Sequence, residues 1–398
     1  MVTALSRSRF PWRPIGVLGM VTIVGYGVAY YAYGVLIEPI RAETRWPPTA
    51  LGAIFSGVLL VGGIGGLAGG RLFDQVGNRL GFLLAGTVGA GAIALSSAQA
   101  QLLPFAFAFV GGCGLIGALG FYQITQPAAI RIAPETPARA VVWLTVLGAF
   151  SSPIFLPLTA QLVHAIGWRG ALRVEAGAAA IVFLAAAVIV DARPREQEPV
   201  PAEGVARALR VAWRAPGFRR WILASLIGGG AAAILLVYQV PVMVAAGLPL
   251  ATAASVGGLR GLAQLGGRLP LSLVLHRFSA RQTLVFAFLF AAGAALLLLS
   301  SHQLPAAVAY SLFAGASLGA ISTLQGIHTH ELVEPRHLGM LLGAQQAVLA
   351  VGAAMGPLLA GTLLQAYASY TPVVLITAAA FLLAAVVLAT SRSHPATL

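Results

Sequence analysis

Twelve stretches of this chain are long and apolar enough to cross a lipid bilayer, and that feature decides what it can fold into. A helix advances about 1.5 Å per residue, so roughly 20 apolar residues span the hydrocarbon core. The stretches centre near Tyr26, Leu60, Gly89, Gly117, Phe150, Phe183, Ala232, Leu262, Phe290, Gly315, Leu349 and Phe381. In lipid the backbone must satisfy its own hydrogen bonds, and runs of this length do so as helices. With 59% hydrophobic and 9% charged residues, the chain cannot cover a water-soluble surface. The expected fold class is an all-α membrane protein with twelve transmembrane helices.

The longest polar interval, Asp191 to about Pro216, separates six stretches from six. It divides the chain into a six-helix bundle over 1–191, a cytoplasmic linker over 192–218 and a second six-helix bundle over 219–398. The second part of the linker, with Val205, Leu209, Val211 and Trp213, is amphipathic and suits the membrane interface. The first part reads equally well as solvated chain.

All 24 basic residues are arginine. Without lysine there is no P-loop lysine to hold nucleotide phosphates and no Schiff base, so any pumping draws on an ion or solute gradient. The net charge of +13 sits in short turns between apolar stretches, which argues for membrane orientation and against a nucleic-acid partner. If the N-terminus is cytoplasmic, 18 arginines fall inside, Arg41, Arg45, Arg169 and Arg173 fall outside, and Arg260 and Arg268 lie within a span. The positive-inside rule then places both termini and the linker in the cytoplasm. Arg7, Arg9 and Arg13 precede an apolar run too long for a signal peptide, so that run is the first span. A single cysteine, Cys113, leaves no intrachain disulfide and no thiolate cluster.

Between the second and third stretches, Gly70 to Arg79 reads G-R-L-F-D-Q-V-G-N-R. It resembles the loop between helices 2 and 3 of major facilitator superfamily transporters, G-x-L-x-D-R-x-G-x-R. Gly70, Leu72, Asp74, Gly77 and Arg79 match it, and Gln75 replaces a basic residue. After the eighth stretch, Ser272 to Arg281 aligns with the same loop, placing His276 opposite Asp74 and Arg281 opposite Arg79. The resemblance implies two pseudo-symmetric six-helix bundles around a central path, with Gly70, Asp74, Gly77, Arg79 and Arg281 in the gating loops. Pro39, Trp46, Gly167-Trp168-Arg169, Gln239 to Pro241, Gly267-Arg268 and Gly356 to Leu358 are similar to motifs of bacterial monocarboxylate transporters and oxalate/formate antiporters.

That narrower resemblance implies a monomeric secondary transporter of the bacterial inner membrane. It would move a small organic anion, a monocarboxylate, by alternating access, with protons as the coupling ion and with neither cofactor nor metal. Two departures leave substrate and coupling open. Some lactate carriers have an acid and a lysine where this chain has Gln264 and, approximately, Tyr31, and the oxalate branch has a lysine where Gln345 and Gln346 stand. A proton-linked drug or metabolite exporter is the alternative; a membrane-bound sensor or hydrolase would lack an output domain and a catalytic set.

Arg260, Gln264 and Arg268 stand at i, i+4 and i+8, on one helical face with the arginines about 12 Å apart. Arginine at mid-membrane costs at least about 2.5–3.5 kcal/mol, so it faces a cavity or a partner. The only acids after Ser225 are Glu331 and Glu334, both near the cytoplasmic side. An anionic substrate would supply the missing partner. The family resemblance assigns the carboxylate to Arg268 and a smaller role to Arg260. The competing reading has either arginine bonding helix carbonyls or snorkelling.

Tyr30, Tyr31 and Tyr33 in span 1, Tyr122, Gln123 and Gln126 in span 4, Tyr238 and Gln239 in span 7 and Gln345 in span 11 supply polar groups suited to line the path. Tyrosines near span ends also act as interfacial anchors. Glu38, Glu175, His328 and His330 are protonatable, and Glu38, in span 1, is the proton-coupling candidate. Gly315 to Gly319 fits G-x-S-x-G without the strand that a hydrolase elbow requires, which favours helix packing.

Overall fold

The computed structural model describes residues 10–191, 213, 216–332 and 338–390. The termini and nearly all of the linker, including Arg195, lie outside the described residues. The N-terminal half contains α1 (Trp12–Thr44), α2 (Pro48–Val76), α3 (Asn78–Ser96), α4 (Leu102–Ile132), α5 (137–166) and α6 (168–189). The C-terminal half contains α7 (Pro216–Ala245), α8 (Leu250–Arg268), α9 (Ala280–Ser300), α10 (Leu304–Leu332), α11 (Leu338–Tyr367) and α12 (Thr371–Ala389). Among the described residues there is no strand. The protein is an all-α membrane protein.

Among the described residues ten helical stretches are long and apolar enough to cross a membrane, and two facts bring them to twelve spans. The stretch Pro137–Ile189 is bent at Gly167, whose φ of 71° reverses the chain, so it makes two crossings. The stretch Leu250–Arg268 falls short in hydropathy because it carries Arg260, Gln264 and Arg268. Large apolar side chains such as Phe107, Ile181 and Val188 are over 70% exposed, as a lipid-facing surface requires.

Several spans depart from a straight helix where they face the other half. Residues Gly27–Tyr31 of α1 form a π-helical turn, a distortion that recurs at functional sites. In α4 the chain is extended at Phe121, and the Gln123 amide bonds the Gly117 carbonyl at 3.1 Å across the break. In α5 the sequence places a helix centre at Phe150, but the chain turns there. Pro153 has no N–H to give the Ala149 carbonyl, and the neighbouring Ser152 hydroxyl bonds the Gly258 carbonyl of α8 at 3.1 Å.

The helix order puts Arg71, Arg79, Arg131, Arg139, Arg219, Arg220, Arg277 and Arg281 at one end of the molecule and Arg41, Arg45, Arg169 and Arg173 at the other. The Gly167-Trp168-Arg169 motif ties the arginine-poor end of the first half. Trp168 Nε1 donates to Glu43 at 2.7 Å, and Arg169 reaches Glu43 at 3.1 Å and the carbonyls of Ser97 and Gln99 at 3.0 and 2.8 Å. We expect Trp168→Ala to cost about 3–5 kcal/mol, the range for emptying a buried aromatic site, read as a lower unfolding midpoint in detergent.

The halves meet along α2 with α11 and along α5 with α8. A Cβ on Gly34 would lie 2.5 Å from the Val237 carbonyl, and one on Gly361 would lie 2.5 Å from that of Pro48. Ser56 accepts from the Leu358 amide at 3.1 Å, Thr49 donates to Gln365 at 2.5 Å, and the Tyr370 hydroxyl donates to Glu38. These contacts all lie in the arginine-poor half of the molecule.

Candidate functional site

Arg260 is completely buried at mid-depth in α8. Its Nε donates to Gln239 Oε1 of α7 at 3.3 Å, and Tyr310 of α10 donates to that same oxygen at 3.2 Å. The Tyr31 ring of α1 lies 5.4 Å from the guanidinium carbon, so the charge faces an aromatic ring from the opposite half. Nη1 and Nη2 have no hydrogen-bonding partner in the protein. Among the described residues no carboxylate forms an ion pair with Arg260 or Arg268. The outcome is a buried cation with two donor groups unmet, the condition that mid-membrane energetics penalise most.

Arg268 lies two turns nearer the arginine-rich end and is half-buried. One of its terminal nitrogens reaches Gln264 at 3.4 Å and Ser322 of α10 at 3.2 Å, while Nε is buried without a partner. Tyr122 of α4 faces it from the other half. Exposure along this face of α8 therefore falls from Arg268 to Arg260.

The structure gathers Arg260, Gln239 and Tyr31 in one cluster and Arg268, Gln264 and Tyr122 in the next. Tyr30 bridges toward them, 5.6 Å from Tyr31 between ring centres. Gln126 is half-buried in α4. Gln345 is drawn elsewhere: its amide bonds Ser225 of α7 at 3.4 Å, because Gly352 lets α11 close on the α7 backbone at Leu226. Tyr26, Phe121, Tyr310 and Ser322 belong to the site and escape the sequence reading. The i, i+4 spacing of Tyr26 and Tyr30 was the available signal, and Tyr310 is the one phenol in α10.

Glu38 stands apart from this cluster, at the arginine-poor end. It pairs with Arg41 at 3.4 Å and accepts from Tyr370. Burial, then the adjacent Glu38 carboxylate, hold the Tyr370 phenol well above the ordinary tyrosine value, so it remains a donor at physiological pH. Glu38 and Tyr370 line a cavity of about 830 Å³ together with Arg41, Arg45, Trp46 and Gln365. Neither arginine of α8 lines that cavity; the Gly34 contact with Val237 packs α1 against α7 beside it.

At the opposite end Asp74 pairs with Arg131 of α4, whose guanidinium lies 4.1 Å over the Phe73 ring. Gly77, at φ 81°, makes the reversal into α3, and Arg79 is exposed beyond it. A Cβ on Gly70 would meet nothing within 4 Å, so packing in this conformation does not explain that glycine. In the second half Arg281 lies near His328, which bonds Glu331 at 3.2 Å. Ser317 of the G-x-S-x-G pattern bonds the Phe313 carbonyl at 2.7 Å, and both glycines of the pattern press α10 onto α8.

The fold is similar to solved transporters at low sequence identity. A point mutant of the nucleoside transporter NupG superposes with a TM-score of 0.80 at 12% identity, covering 96% of this chain and 99% of that one. A D-xylose-proton symporter gives 0.77 at 14% identity, with 97% and 98% covered. A bacterial homologue of the human lysosomal transporter Spinster, in an inward-facing and unoccupied conformation, gives 0.75 at 15%, with 97% and 100% covered. Comparison with curated protein sequences gave no match. The model of the Major Facilitator Superfamily matches residues 18–296 and 247–397. With those matched segments running over most of its length, the chain belongs to the Major Facilitator Superfamily of membrane transporters.

Proposed function

We propose that this chain is a secondary active transporter of a bacterial inner membrane that moves a small organic anion, a monocarboxylate, by alternating access. One observation carries the reading: Nη1 and Nη2 of the fully buried Arg260 lack any protein partner. A carboxylate supplies two acceptor oxygens in the geometry of those two donors and cancels the charge. The family resemblance favours Arg268 as the carboxylate anchor. The burial of Arg260 moves our assignment there, with Arg268 and Gln264 receiving the anion on its way in or out and Tyr31 and Gln239 orienting Arg260.

The positive-inside rule makes the arginine-rich end cytoplasmic, with both termini on that side. The halves touch at the other end. The Glu38–Tyr370 bond and the contacts of α2 with α11 form the outer latch. Glu38 is the proposed proton-coupling residue, since its protonation weakens both the Arg41 pair and the latch. Asp74, Gly77, Arg79 and Arg281 belong to the inner gating loops, and the transporter acts as a monomer.

Three outcomes follow. Radiolabelled lactate, pyruvate or formate should enter proteoliposomes saturably with the parent chain and not with Arg260→Ala; uptake of all three that survives this substitution sinks the proposal. Asp74→Asn should slow turnover by about tenfold, within the usual range of conformational coupling, while equilibrium affinity changes by less than about twofold. Equal transport rates at matched expression would remove Asp74 from the gate. Arg195→Cys should react with an impermeant thiol reagent only from the cytoplasmic side, against the low background of buried Cys113. Labelling from the periplasm alone would invert the topology.

A further inference from the structure

Five aromatic rings run as a continuous wall from one arginine of α8 to the other. Tyr31 lies against Arg260, and Tyr122 faces Arg268. Tyr26 links them, with ring centres 6.5 Å from Tyr31 and 5.2 Å from Tyr122, and it stacks on Phe121 at 4.0 Å and 5°. Tyr30 closes the set against Tyr26 and Tyr31 at 6.3 and 5.6 Å. Two local distortions present these rings: the π-helical turn Gly27–Tyr31 carries Tyr30 and Tyr31, and the extended residue Phe121 breaks α4.

These five rings differ from the aromatic residues packed behind them. Tyr33, Phe55 and Phe109 are fully buried, with Tyr33 stacked on Phe55 and tilted against Phe109. Tyr26, Tyr30, Tyr31, Phe121 and Tyr122 each keep part of their surface exposed. Tyr31 and Tyr122 meet the two arginines of α8, and Tyr30 lies close to Arg260. A small aliphatic acid needs only the cation; an extended wall of ring edges and faces fits a flat ring attached to the carboxylate.

We infer that the substrate class is an aromatic carboxylate, with its carboxylate on Arg260 and its ring against the Tyr26–Tyr31–Tyr122 wall. This rests on the anion site at Arg260 proposed above. Aromatic pairs attract beyond the area they bury. Contacts with two rings then correspond to roughly tenfold in affinity.

The test compares benzoate with cyclohexanecarboxylate, which have the same charge and similar size but differ in the π system, by isothermal titration of the purified chain. Benzoate should bind about tenfold more tightly to the parent. Tyr26→Leu should bring the ratio to within about twofold, and Tyr26→Phe should retain it, which separates loss of the ring from loss of the fold. Equal affinity of the two acids, with both lost in Arg260→Ala, overturns the aromatic inference and leaves the anion site standing. A preference for benzoate that survives Tyr26→Leu overturns the wall. Binding of neither acid, or binding that Arg260→Ala leaves unchanged, overturns the anion site and this inference together.

Discussion

Arg260→Met is expected to abolish anion binding and to raise the thermal stability of the empty protein. Arg260 holds a full charge at mid-membrane with one weak hydrogen bond, to Gln239, and two nitrogens unmet. Replacing this unpaired buried charge by an apolar side chain of similar length removes its desolvation penalty and is expected to stabilise the empty protein. The same change removes the partner of a desolvated carboxylate, a loss of about 2–5 kcal/mol, or at least about 30-fold in Kd. Arg260→Lys should recover part of the affinity, because the charge remains while the planar pair of donors does not. Unfolding midpoints in detergent with and without sodium benzoate or lactate read both effects. A parent stabilised by neither salt, or an Arg260→Met protein that unfolds earlier than the parent, would make Arg260 a structural residue.

Gly319→Val should give the opposite combination of effects, losing stability and affinity together. Helices α8 and α10 approach backbone to backbone: a Cβ on Gly319 would overlap the Gln264 carbonyl, one on Gly315 that of Arg260, and one on Gly267 that of Ala316. These three contacts bracket the segment that carries both arginines. A side chain at 319 forces α8 away from α10, since backbone atoms cannot step aside singly, and overpacking of this kind costs about 1–3 kcal/mol. The displaced helix then withdraws Arg260 from Gln239 and Arg268 from Ser322. Thermal unfolding and titration on the same preparation check the pair of effects. Unchanged affinity in a folded Gly319→Val protein would detach site geometry from this packing.

The spans are legible in the sequence because length and apolarity suffice to mark them. Even α8, too polar to stand out by hydropathy, is betrayed by the i, i+4, i+8 spacing of Arg260, Gln264 and Arg268. What distinguishes the two arginines is not legible. They share a helix face, and only the packing of α1, α7 and α10 around the first makes one sealed and the other half-open. The turn at Phe150 has a signal in Pro153, which offers no N–H to the Ala149 carbonyl, while the Ser152 bond to α8 beside it is visible only in the packed structure. Gln345 carries the same side chain as a cavity residue would, yet tertiary closeness of α7 and α11 commits it to Ser225.

The central claim is that the path holds an anion on a buried arginine, and a ligand-induced shift of the unfolding midpoint tests it most directly. Purified parent, Arg260→Ala and Arg268→Ala proteins would be heated with sodium lactate, pyruvate, formate, oxalate or benzoate and, separately, with tetraethylammonium chloride, all at one ionic strength. At least one carboxylate should raise the midpoint of the parent, with the shift lost in Arg260→Ala and reduced in Arg268→Ala, and tetraethylammonium should leave all three unmoved. A midpoint raised by the organic cation and by no carboxylate, or a carboxylate shift of full size in Arg260→Ala, would contradict the account.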